Sequence, residues 1–173
     1  MNSLTGSDAH PEGATVMAVT LHRAVAAVRP SAGCHTVEFE CGHPAVGESI
    51  SPQDARRVSQ MRRIGRAALR RWGFHRTVDE AELVISELIT NAIQNGCGSV
   101  GFSVSFEGAT VRIEVTDGST SQPSVRRQHD LYAESGRGML LVDQIASRWG
   151  TSADGTRTRC ELQGVLGAGM EPS

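Results

Sequence analysis

The N-terminal stretch shows no sustained hydrophobic period until Thr36-Val37-Glu38-Phe39-Glu40, which alternates as a short edge strand does. A loop carrying Gly and Pro follows through Gly47. From Ser51 the period becomes helical, with Ala55, Val58, Met61, Ala68, Leu69 and Trp72 recurring at helix spacing. Ser51 as N-cap, Pro52 at the first helical position and Asp54 three residues after the cap predict its start, and Gly73 predicts its end. A second helix is predicted from Thr77, with Glu80 placed as in a capping box, to about Asn95; its apolar stripe is Val78, Ala81, Val84, Ile85, Leu88 and Ala92. Two alternating runs, Val100 to Phe106 and Val111 to Val115, flank Glu107-Gly108-Ala109 and predict a hairpin. A polar loop runs from Asp117 to Ser135. Met139, Leu140, Val142, Ile145, Ala146 and Trp149 predict a third helix closed by Gly150, and Asp154-Gly155 turns into a last strand, Thr156 to Leu162. This order predicts an α+β two-layer sandwich, a mixed and mostly antiparallel sheet with helices on one face.

The 173 residues suit one domain at roughly 100–200 residues each. The expected division is a loosely docked or disordered tail over 1–35, a folded domain over 36–163 and a flexible tail over 164–173. A formal net charge of -2 gives no one-signed field for global capture of nucleic acid or membrane. Every one of the 17 basic residues is Arg. Without Lys the chain excludes a Walker-type phosphate loop, a bilobed protein kinase and Schiff-base chemistry. Four cysteines without a C-x-x-C read as reduced thiols, and Cys34-His35 with Cys41-Gly42-His43 lacks the spacing of a common zinc motif. Neither a signal peptide nor a run of ~18 apolar residues is present, so the expectation is a cytoplasmic protein without a membrane segment. The first helix carries seven arginines; a solvated face is the commoner reading, and direct nucleic-acid binding the rarer one, since no aromatics are interleaved.

Three features carry chemistry. Glu87, Asn91 and Asn95 stand at i, i+4, i+8 on a helix that is otherwise apolar nearly all round, so the stripe reads as a pocket wall or as a plain solvent face. Asn is a neutral oxygen ligand suited to Mg²⁺, and a carboxylate one turn away can take a proton. Asp117-Gly118 lies just past a strand end, where an Asp can accept from an amine or merely form a turn. Gly136-Arg137-Gly138 opens a helix and exposes amides to an anion, although a lone G-x-G is weak evidence.

In their order, "SELITNA" (Ser86 to Ala92), "VTDGS" (Val115 to Ser119) and "GRGMLLVDQIASRWG" (Gly136 to Gly150) resemble the N, first-glycine and second-glycine boxes of the histidine-kinase-like (GHKL) ATPase fold. More narrowly, with Ala55-Arg56-Arg57 and Trp72-Gly73, they resemble the actinobacterial anti-sigma-factor type of serine kinase. The likeness covers about residues 50 to 162. It implies ATP and Mg²⁺ as cofactors, Glu87 as general base, Asn91 as Mg²⁺ ligand, and Asp117 as the acceptor for the adenine amine. It further implies that Gly118 lets adenine approach and that Gly136, Arg137, Gly138 and Met139 border the phosphates beneath a lid, with Asn95 and Thr158 completing the nucleotide contacts. Members commonly carry His where Asn95 stands, a second Gly after the Asp-Gly, and an apolar pair at Thr158 and Arg159. The implied partner is an anti-anti-sigma (STAS-type) protein, a sigma factor, or both, with a homodimer admitted. Two functions stay open: phosphoryl transfer to a Ser or Thr of that partner, or nucleotide binding without turnover in a module that sequesters a regulator.

Overall fold

The computed structural model describes residues 32–42, 44, 48–96, 98–118 and 137–166. Strand β1 (Ala32–Glu40) is followed by helix α1 (Pro52–Trp72), a 3-10 turn at His75–Thr77, helix α2 (Val78–Asn95), strands β2 (Ser99–Glu107) and β3 (Thr110–Thr116), helix α3 (Arg137–Ile145), and strands β4 (Arg148–Thr151) and β5 (Arg157–Gln163). The sheet order is β1-β2-β3-β5-β4. The expected α+β fold with a mostly antiparallel sheet is what forms, and every pairing among the described strands is antiparallel.

The alternation in the sequence becomes the two faces of this sheet. Val100, Phe102, Val104 and Phe106 of β2, Val111, Ile113 and Val115 of β3, and Cys160 and Leu162 of β5 are buried under the helices. The opposite face carries Ser99, Ser103, Ser105, Arg112, Glu114, Arg157 and Arg159 and stays polar. α2 lies at the centre of the helical layer, with eight buried residues from Val78 to Ile93. Each such fully buried aliphatic side chain contributes about 1.5–3 kcal/mol through removal from water.

Local signals explain the ends of α1. Ser51 Oγ accepts from the Asp54 amide at 3.1 Å and donates to Asp54 Oδ2 at 2.7 Å, so the cap and its third residue satisfy each other. Asp54, not Ala55, is the buried residue of the first turn. Its carboxylate also accepts from the Gly42 amide at 3.4 Å, which ties the exit of β1 to the start of α1. Gly73 closes the helix in the left-handed conformation at φ 90°.

Three expectations are corrected. The capping box at Thr77 does not form, because the preceding 3-10 turn already holds Thr77 in helical conformation and its Oγ1 accepts from the Val165 amide at 3.0 Å. The third helix stops at Ile145, and Trp149 and Gly150 belong to β4. Pairing of Trp149 with Cys160, together with the Ser147 amide and hydroxyl donating to the Glu161 carbonyl at 2.9 and 2.8 Å, outweighs the helical spacing of the apolar residues. The predicted strand over 36–40 is longer, Ala32–Glu40, and the Gly164 amide donates to the Ala109 carbonyl at 2.6 Å; the rest of both expected tails lies outside the described residues.

α1 and α2 cross at Gly65, which is buried, and a Cβ there would overlap Ile85 Cδ1. Gly65→Val should therefore cost about 1–3 kcal/mol by overpacking, read as a lower denaturant midpoint. Ile85→Ala in the same chain should restore part of it, because it removes the atoms in the way; equal losses in the presence and absence of Ile85→Ala would refute the close-approach account.

Candidate functional site

The site is built along one side of α2. Eight buried apolar residues fix that helix against the sheet and its neighbours, and Glu87, Asn91 and Asn95 form one line at i, i+4, i+8 on a remaining side that also carries Asp79, Glu80, Thr90 and Gln94. Glu87 and Asn91 are partly buried and Asn95 is exposed. The Asn95 side-chain amide donates to Asn91 Oδ1 and to the Asn91 carbonyl, both at 3.0 Å, and so orients the Asn91 side chain.

The N-terminal end of α3 comes down on Glu87. A Cβ on Gly138 would overlap the Glu87 carboxylate, with Cδ at 3.0 Å, so a side chain there would push the carboxylate aside. The carboxyl accepts no hydrogen bond among the described residues, and burial alone pushes its pKa above the ordinary carboxylate value. A carboxylate with a raised proton affinity is suited to accept a proton. Met139, next along, is in the core, so Gly138 and not Met139 faces Glu87.

The other end of the line meets Asp117. Gly96 closes α2, and a Cβ there would come within 2.9 Å of both Asp117 Cβ and the Asp117 carbonyl oxygen. The Asp117 amide donates to the Thr156 carbonyl at 3.1 Å, which pins the residue where β3 leaves the sheet. Gly118 then turns the chain at φ 65°, a value side chains disfavour. Thr158 is buried on the helix-facing side of β5, opposite Val115. Glu87 and Gly96 are nine positions apart on α2, about 14 Å along its axis, so the site is elongated.

The structure thus brings Glu87 to Gly138, Asn91 to Asn95, and Asp117 to the end of α2. Gly136 and the side chain of Arg137 lie outside the described residues, as does the loop 119–136. Gly96 was legible only as a helix stop, and its role as the seat of Asp117 has no sequence signal. Two cavities lined by described residues lie elsewhere: about 320 Å³ on the open sheet face around Arg148, Arg157 and Glu114, and about 410 Å³ at the start of α1 around Glu40 and Asp54. No group of three His, Cys, Asp or Glu among the described residues is arranged for a metal ion. Cys160 is a core residue whose thiol burial pushes up to about 12, so it takes no part in nucleophilic chemistry. No helix among the described residues is long and apolar enough to cross a membrane.

A family model, the histidine kinase-like ATPase domain, matches residues 51–162, the span from the cap of α1 to the end of β5. The chain belongs to that family. No curated protein matches it as a relative. The family implies ATP, generally with Mg²⁺, and the residues present fit both. Mg²⁺ keeps several waters and relies on ligand phosphates, so it needs few protein oxygens, and Asn91 beside Glu87 offers a neutral one and an anionic one. The bare Cα of Gly138 and the carboxylate at the strand end suit an elongated anionic ligand with a polar, flat group at one end.

The raised pKa of Glu87 has a stability consequence with a definite sign. Below the ordinary carboxylate range the group is neutral in both folded and unfolded states and costs nothing. As pH rises through its folded pKa, the folded state must hold an anion stripped of part of its water, and stability falls. Glu87→Gln should then melt higher than wild type at neutral pH in the absence of nucleotide, with the difference vanishing toward acid. A variant that melts lower across the whole range would show that the carboxylate has a stabilising partner instead.

Proposed function

We propose that this chain is an ATP·Mg²⁺-dependent regulatory protein that transfers a phosphoryl group to a Ser or Thr hydroxyl of a partner protein. By resemblance of its boxes the partner is of the anti-anti-sigma class. The observation that carries the reading is the Glu87 carboxylate: half-buried, without a hydrogen-bond partner among the described residues, one turn from Asn91 and against Gly138.

Bound ATP with Mg²⁺ supplies an electrophilic phosphorus whose oxygens are neutralised by the metal. Asn91 would hold the metal, its oxygen oriented by the amide of Asn95. Glu87 would accept the proton of the attacking hydroxyl, leaving a protonated carboxyl that its surroundings already favour. Asp117 would accept from the exocyclic amine of the base, held in place by its own amide on Thr156 and by contact with Gly96. Gly138 would let the phosphates and Glu87 share one approach. Most of the acceleration in such a site comes from positioning and charge stabilisation.

Asp117→Asn should weaken adenine nucleotide binding by about 1–3 kcal/mol and narrow the preference for ATP over GTP, since an acceptor is half replaced by a donor. Titration calorimetry on a variant shown to be folded reads this directly, and unchanged affinity would remove Asp117 from the base contact.

The activity itself is tested with labelled ATP, Mg²⁺ and candidate STAS-type partners. Wild type should label the partner, and Glu87→Gln should bind ATP nearly as well yet transfer about 10²–10⁴-fold more slowly. Equal rates for both proteins would eliminate Glu87 as the base. Nucleotide-dependent partner capture without any labelling by wild type would instead establish a binding module without turnover.

A further inference from the structure

We propose that the outer crest of α1 is a docking surface for an acidic segment of a partner protein. Arg56, Arg63 and Arg70 recur every seventh residue on the side of α1 opposite the buried Val58, Met61, Gly65, Ala68, Leu69 and Trp72. They form a straight row with a repeat of about 10.5 Å. All three are exposed, and none has an ion pair, hydrogen bond or ring contact among the described residues.

The row is unrelieved by its own helix. The neighbours of these arginines at three and four residues' distance are Pro52, Gln53, Ser59, Gln60, Arg66, Ala67, Gly73 and Phe74, with no acid among them. Arg66 adds like charge beside Arg62, Arg63 and Arg70, and its own charge is answered across the helix pair by Glu82, with contacts of 2.9 and 2.6 Å. Arg57 is likewise engaged, over the Phe39 ring and 3.8 Å from Asp54. Of the four flank arginines, Arg57 and Arg66 are thus engaged with acids, Arg62 reaches only Ser59 Oγ at 3.4 Å, and Arg71 is exposed; the three of the crest have no acid within reach among the described residues. A helix that repels itself along one line is relieved by carboxylates arriving from outside at the same repeat. A partner helix with Glu or Asp at every seventh position presents that repeat.

Charge over the whole chain selects the kind of polyanion. α1 holds seven of the 17 arginines and one of the 19 acidic residues, so the rest of the chain is acidic by eight charges. That field opposes the approach of a long duplex and leaves a short acidic segment able to meet the crest alone. No exposed aromatic stands on α1 to stack with unpaired bases. The surface is separate from the α2 line, so the proposal does not rest on the nucleotide reading.

The test uses the full chain without nucleotide at about 50 mM salt. The probes are a synthetic helix of about three heptads with Glu at each seventh position, the same peptide with Gln, and a DNA duplex of about two helical turns. The Glu peptide should bind, the Gln peptide should not, and affinity should fall as salt rises. The triple variant Arg56→Gln, Arg63→Gln, Arg70→Gln should fold at least as well as wild type and bind the Glu peptide at least about tenfold more weakly. The proposal is overturned if the duplex binds more tightly than the Glu peptide, if no probe binds, or if the triple variant binds the peptide as wild type does.

Discussion

The structure depends on the burial of one broad face of α2. Eight apolar residues from Val78 to Ile93 face the sheet, α1 and α3, and the first consequence is orientation: the helix cannot rotate without exposing several aliphatic side chains. The second consequence is chemical. Glu87 is held at the edge of that buried face, where water is partly excluded and a carboxylate binds its proton more tightly. Packing and the raised proton affinity of Glu87 therefore have one cause.

Close approach extends the same constraint outward. α1 reaches α2 because Gly65 offers no side chain to Ile85, α3 reaches Glu87 because Gly138 offers none to its carboxylate, and β3 reaches the end of α2 because Gly96 offers none to Asp117. Three elements thus converge on α2 at positions where a methyl group would hold them apart. α3 is in turn fixed from its far end, where Asp143 accepts from Trp149 Nε1 at 2.9 Å and ties the helix to β4. The tie holds the N-terminal end of α3 over Glu87 and connects the family's glycine box to the sheet.

Charge is distributed in two registers. At the α2 line, charge is sparse, and the Glu87 carboxylate is partly desolvated. On α1 it is dense and exposed, and pairing there is settled by reach: Arg66 has Glu82 on the neighbouring helix, whereas the crest faces only solvent. The same residue type thus serves as a link between helices on the flank and as unpaired surface charge on the crest.

Periodicity along the chain determined the layers, because a strand or helix with one buried face must repeat apolar residues every two or about 3.6 positions. Val100 to Phe106, Val111 to Val115 and the α2 stripe are legible for that reason, as are the ends of α1, whose cap at Ser51 and stop at Gly73 are local chemistry. The site was legible as candidates: Glu87 and Asn91 as a polar line on an apolar helix, Asp117 and Gly138 as members of ordered boxes. What the tertiary structure alone decided is every choice made by a distant neighbour. Trp149 fits a helix by spacing and joins a strand because β5 pairs with it, Thr77 looks like a cap and bonds Val165 instead, and Ala55 gives its buried place to Asp54, whose carboxylate Gly42 and Ser51 receive. Gly65 reads as an ordinary glycine because the atom that crowds a side chain there belongs to Ile85, 20 residues along the chain, and no pattern of neighbours in sequence records a distance in space.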